Sequence, residues 1–132
     1  MITAYIAHPI SGDVEGNVKR VKAIMADIIR DEPTTFPFAP YLTALELLDD
    51  DKPDHRARGI TWNMRLLNSE VVDEVRLYGD RVSEGMLEEV AVAMMSGIKV
   101  VPKSDAARGW IRSKSLAWKR LLKRDQGKRV GE

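Results

Sequence analysis

Four short apolar runs alternate along this chain with stretches of helical periodicity, and that alternation limits the fold more than any other feature. Residues 2–7, 35–39, 71–78 and 98–101 read as strands. Residues 14–29, 41–48, 54–67, 84–96 and 106–123 read as helices. In 14–29 the residues Val18, Val21, Ile24, Met25 and Ile28 share one face, and Asp13 is placed to cap the start. Pro37 argues that its run is an edge strand or an extended connection, because proline has no N–H to give a neighbour. Gly97 marks the stop of the 84–96 helix, and few turns suit hairpins. Strands joined by helices require crossovers. The expectation is an α/β fold: a three-layer, Rossmann-like (flavodoxin-like) parallel sheet of four to five strands with helices on both faces.

The 132 residues suffice for one domain that buries about two-thirds of its unfolded surface. Residues 1–103 carry 12 Lys and Arg against 17 Asp and Glu, whereas 104–132 carry 9 against 3. An acidic α/β body with a basic C-terminal helix and tail follows, the tail packed on the same domain or on a partner subunit. Without cysteine, and with only His8 and His55, neither a disulfide framework nor a thiolate or histidine-rich metal centre is available. No metal and no organic cofactor are expected. A reducing cytoplasm fits best, since the apolar start lacks a basic leader and no segment approaches the ~20 apolar residues of a membrane span.

In open parallel sheets, ligands bind beyond the carboxyl ends of the strands where the strand order reverses. Two loops leave such ends here, His8-Pro9-Ile10-Ser11-Gly12 and Gly79-Asp80-Arg81-Val82-Ser83-Glu84-Gly85, and they are expected to face each other. The second opens a helix, whose first turn offers unpaired N–H groups to an anion or a sugar. It also carries two carboxylates, Glu88 and Glu89.

The elements Tyr5-Ile-Ala-His-Pro-Ile-Ser-Gly12 and Ser83-x-Gly85-x-x-x-Glu89, in order and spacing across residues 2–102, resemble the nucleoside 2-deoxyribosyltransferase superfamily. That superfamily includes N-glycosidases that cleave 2'-deoxynucleoside 5'-monophosphates and hydroxymethyl-CMP, and small uncharacterised phage and bacterial proteins are grouped with it. The resemblance makes Glu89 the nucleophile at the anomeric carbon, with Tyr5 beside it as the second catalytic residue. It gives a substrate-binding set of His8, Ile10, Ser11, Gly12, Ser83, Gly85 and Met86. Ser83 stands where monophosphate-specific members bind the 5'-phosphate and nucleoside-specific ones place an aspartate. A neutral donor tolerates phosphate, so a nucleotide is favoured over a nucleoside. The resemblance also implies a homo-oligomer, a dimer or larger, in which a neighbour completes the pocket.

Two departures stand out. Catalytic relatives carry an aspartate eight residues ahead of the one that opens the third strand; with Asp73 as that opening residue, the position holds Arg65, with Asn63 nearby. His8 replaces a small residue of the first loop, and could reach a phosphate or act as an acid near neutral pH. Plainer roles compete throughout: Ser83 as a helix cap with Leu87 starting the buried stripe, Tyr5 as a core residue with its hydroxyl satisfied, Asp73 as a structural group, Glu89 as a first-turn acid favoured by the helix dipole, Glu88 as a solvated carboxylate. The long polar segment 40–58, with Tyr41, His55, Arg56 and Arg58, is a candidate lid.

Three functions remain open on this footing. The first is hydrolysis or transfer at an N-glycosidic bond, and the second a catalytically silent nucleotide-binding protein of the same fold. The third is a nucleic-acid accessory role, resting on Trp110 and Trp118 amid the basic tail. It is disfavoured, because the acidic body repels a polyanion and Ile111, Trp118, Leu121 and Leu122 fall on one docking face.

Overall fold

The computed structural model describes residues 1–49 and 51–114. Its elements run β1 (Ile2–Ala7), α1 (Val14–Asp31), β2 (Thr35–Phe38), α2 (Tyr41–Leu47), α3 (Pro53–Leu67), β3 (Glu74–Leu77), α4 (Glu84–Met95), β4 (Lys99–Pro102) and α5 (Asp105–Arg112). The four strands form one parallel sheet in the order β2-β1-β3-β4. This is the three-layer α/β arrangement expected from the alternation of runs. Pro37 lies in β2 opposite Ala4, on an edge strand, where its missing N–H is least costly.

Local chemistry sets the helix ends. Asp13 accepts from the Gly16 N–H at 3.1 Å, Pro53 opens α3, Ser83 accepts from the Met86 N–H at 3.3 Å, and Ser104 accepts from the Ala107 N–H at 3.2 Å. Gly97, at φ +70°, closes α4: its N–H reaches the Met94 carbonyl at 3.3 Å and the Ile98 N–H reaches that of Ala93 at 2.8 Å.

Alternation along the strands gives each face its own core. On one face Ala4 and Ile6 pack with Val21 and Ile28 of α1. On the other, Tyr5, Ala7, Val75, Leu77 and Val100 pack under Leu67 of α3, Met86, Val90 and Ala93 of α4, and Ala107 of α5. Of the expected α1 stripe, Val21 and Ile28 are buried while Val18, Ile24 and Met25 are half-buried.

Several boundaries differ from the sequence reading. The third strand begins at Glu74 rather than at 71, because Asp73 is drawn into a cross-link: its N–H donates to the Thr3 carbonyl at 2.9 Å and its Oδ2 accepts from the Thr3 N–H at 2.8 Å. That is a structural role for Asp73. Leu87, expected to start the buried stripe of α4, is 40% exposed; Met86 takes that place at 1%. The last helix is described as far as Arg112, and Trp118, Leu121, Leu122 and the rest of the basic tail lie outside the described residues. Among the described residues no helix is long and apolar enough to cross a membrane.

Candidate functional site

The strand order reverses between β1 and β3, which leave the sheet side by side. A crevice for a ligand belongs above these two ends. The loops that follow them do face each other. Arg81 Nη2 donates to the Ser11 carbonyl at 2.9 Å, bridging from one loop to the other. Gly79, at φ +94°, lies so close to the first loop that an added Cβ would sit 2.5 Å from Pro9 Cδ. Only glycine accepts both that backbone and that approach. Asn17 in the first turn of α1 braces the first loop by donating to the Ile10 carbonyl at 2.9 Å.

His8 is 6% exposed, and its Nδ1–H donates to the Pro9 carbonyl at 2.6 Å. It forms part of the floor between the loops, whereas Ser11 and Gly12 are exposed above it. Gly12, at φ +96°, lies beneath the Arg81 guanidinium. On the second loop Ser83 caps α4 through Met86, and Gly85 faces open space with nothing within 4 Å of where a Cβ would be. The Met86 side chain is sealed in the core, so its backbone alone is available at the loop.

Below the loops lies a buried polar cluster. Glu89 is 7% exposed, whereas Glu88 points to solvent. Glu89 belongs to the second turn of α4, not the first, so a favourable helix dipole does not account for it. Its neighbour is Tyr5, wholly buried. The Tyr5 hydroxyl lies close enough to the Glu89 carboxyl to favour its charged form, and beyond that contact neither Tyr5 Oη nor Glu89 Oε2 has a hydrogen-bond partner. Tyr41, the first residue of α2, packs its ring edge-on to Tyr5 at 6.3 Å and donates its hydroxyl to the Ile6 carbonyl at 2.5 Å. A third unpartnered buried atom, Asn63 Oδ1, belongs to α3.

Burial dominates the electrostatics. It pushes the Glu89 carboxyl up to about 7; contact with the Tyr5 hydroxyl works against that shift and the Glu88 carboxylate adds to it. Burial raises the hydroxyls of Tyr5 and Tyr41 well above their ordinary values, and the charge of Glu89 raises both further. Glu89 therefore titrates near neutrality, where a carboxyl serves either as anion or as acid.

The structure thus brings Tyr5 and Glu89 together under loops that carry His8, Ile10, Ser11, Gly12, Ser83 and Gly85. Arg65 is exposed on α3 and takes no part. From the 40–58 segment Tyr41 arrives at the cluster, while His55 accepts from the Asp49 N–H at 3.0 Å and Arg56 and Arg58 are exposed. Arg81 and Asn63 were not singled out as site residues from sequence. For Asn63 a signal existed: Gly59, Asn63 and Leu67 recur every four residues, which sets a polar side chain on the inward stripe of α3. A cleft of about 320 Å³ opens elsewhere, between α1 and α2, lined by Val14, Val18, Leu42 and Leu45. Among the described residues no group of His, Asp and Glu is arranged to hold a metal ion.

No curated protein matches the chain in sequence. Residues 2–103, from β1 to the residue after β4, match the family described as Domain of unknown function (DUF7768), and the chain belongs to that family.

Proposed function

We propose that this protein hydrolyses or transfers at the N-glycosidic bond of a nucleoside 5'-monophosphate, or of a nucleoside, with Glu89 as the nucleophile. The observation that carries this reading is the position of Glu89: buried, with Oε2 unpartnered, beside Tyr5 and below the loops of the strand-order reversal. A carboxylate left unpaired in the interior costs stability, and one serving only to fill space would be replaced by an apolar side chain. The resemblance to the nucleoside 2-deoxyribosyltransferase superfamily supplies the reaction. A carboxylate oxygen of Glu89 forms a bond to the anomeric carbon as the carbon–nitrogen bond breaks, and that electron pair leaves with the base, which takes a proton from solvent. Water or a second base then displaces Glu89 and restores the free carboxylate.

The 5'-phosphate would meet the open backbone at Gly85 and the N-terminal end of α4, with the Arg81 guanidinium nearby to balance its charge. Tyr5 would steady the carboxylate. A homo-oligomer in which a neighbouring subunit completes the pocket belongs to the same proposal, as does a cytoplasmic setting.

One observation favours a second reading. The α3 position that holds an acid in the catalytic relatives holds an outward Arg65 here, which fits a protein that binds nucleotides without turning them over.

Incubation with a panel of deoxynucleoside and ribonucleoside monophosphates, with chromatography for free base, separates the two. The enzyme reading predicts release that falls by more than about 10³-fold in Glu89→Ala. It also predicts release that rises with pH through about 7, because only the ionised carboxylate attacks. Saturable nucleotide binding with no release from any substrate supports the silent protein.

A further inference from the structure

Helices α3 and α4 each lead into the start of a parallel strand, so they run in the same direction across one face of the sheet. Their far ends are tied together. Ser96, the C-cap of α4, donates its hydroxyl to Oδ1 of Asn68, the C-cap of α3, at 3.2 Å. Counting back from this tie at about 1.5 Å per residue, Asn63 stands about 7.5 Å up α3 and Glu89 about 10.5 Å up α4. The two lie at nearly the same height.

Both also face inward. Asn63 is one helical turn from Leu67, which is wholly buried, and one from Gly59, which looks onto Ala44 of α2 and Leu48 just past its end. Glu89 lies between the buried Met86 and Val90 and one turn from Ala93. Asn63 Oδ1 and Glu89 Oε2 are both shut off from solvent, and neither has a hydrogen-bond partner.

A buried carbonyl oxygen of this kind lacks a donor. Of the parts of a nucleotide, the phosphate offers only acceptors at neutral pH. The base departs on the side of the anomeric carbon opposite the attacking oxygen, away from Glu89. What remains level with Glu89 is the sugar ring and its hydroxyls. We infer that Asn63 is a sugar-binding residue of the Glu89 site, its Oδ1 accepting a hydrogen bond from a hydroxyl of the ring that Glu89 attacks. The identity of the ligand rests on the reading under Proposed function; the convergence of Asn63 and Glu89 on one space does not. An amide has no proton to donate as an acid, so α3 then contributes recognition without general acid catalysis.

Carbon-13 titration of the side-chain carboxyls in the full chain tests the convergence without any ligand. In Asn63→Asp the new carboxyl and Glu89 are expected to titrate as a coupled pair, with the upper step at least one pH unit above that of Glu89 in the parent protein. A Glu89 midpoint unchanged by the substitution overturns the inference. Removing an orphaned acceptor in Asn63→Leu is expected to raise the melting temperature by about 3 °C. A fall of that size shows a structural asparagine and overturns it as well. With substrate, Asn63→Leu is expected to raise KM for the released nucleotide at least tenfold, and unchanged kinetics contradict the inference alone. Coupled titration in a protein that releases no base from any substrate would leave the shared Asn63–Glu89 space standing and remove the glycosidic chemistry.

Discussion

The two faces of the sheet treat buried polar groups in opposite ways. On the α1 face Arg76, 4% exposed, directs Nη1 and Nη2 onto the two oxygens of Glu32 at 2.9 and 2.8 Å and Nε onto Glu74 at 2.7 Å. Thr35 adds a hydroxyl to Glu32 at 3.1 Å. The Arg76 hydrogen bonds hold the Glu32 carboxyl below its usual range. On the α3 and α4 face Tyr5, Asn63 and Glu89 carry buried atoms with no partner, and burial lifts Glu89 to about 7. The chain therefore can satisfy a buried charge where it joins β3 to the α1–β2 connection. The three unsatisfied atoms on the other face of the same sheet are the feature that the proposed ligand would explain, by supplying the missing partners.

The contrast breaks if the paired face contributes no stability. Arg76→Leu leaves Glu74, 8% exposed, without its cation, and is expected to cost about 3–5 kcal/mol in urea denaturation. A loss below about 1 kcal/mol would show that the pairing does little. The scaffold that sets the loops above the unpaired face is next in size. Gly79→Ala places a Cβ 2.5 Å from Pro9 on a backbone at φ +94°, and about 2 kcal/mol of destabilisation is expected, with nucleotide affinity lost in step. Stability lost without any change in affinity would mean that the loops serve the fold alone. The smallest effect sharpens the comparison. Ser83→Ala removes the cap of α4 at a cost of about 1 kcal/mol. If Ser83 also meets the phosphate, nucleoside monophosphates lose affinity in this variant while the corresponding nucleosides do not, as isothermal calorimetry will report.

The sequence made legible whatever depends on near neighbours. Asp13 and Ser83 as caps, Gly97 as a stop and Pro37 at an edge are decided within a few residues, and the structure has all four. The facing of the two loops was legible too, because a parallel sheet with this order of elements brings the ends of β1 and β3 together. Less legible was which side of α4 turns inward. Successive residues differ by about 100° around a helix, so reading Leu87 instead of Met86 as the start of the stripe misplaces it by a quarter turn or more. The Arg76–Glu32 pair joins residues 44 apart in sequence, and no local pattern announces it. Counting back from Asp73 drew attention to Arg65 and left Asn63 as its neighbour, whereas the spacing of Gly59 and Leu67 along α3 is what turns Asn63 inward.

The central claim is that Glu89 is kept in the interior at a cost to stability because a ligand uses it. Unfolding free energy against pH, for the parent protein and for Glu89→Gln, tests this most directly. A folded-state value of about 7 lies above the unfolded 4.5. The native state then holds its proton to higher pH than the unfolded chain, so this group's contribution is fully present below 4.5 and is lost as pH rises through 7. The loss amounts to about 3 kcal/mol. Glutamine stays neutral, and the account predicts that Glu89→Gln is more stable than the parent at pH 8 by about that amount, with little difference at pH 4. A variant less stable than the parent at pH 8 would mean that Tyr5 and its surroundings fully compensate the ionised carboxylate within the fold, and would contradict the account.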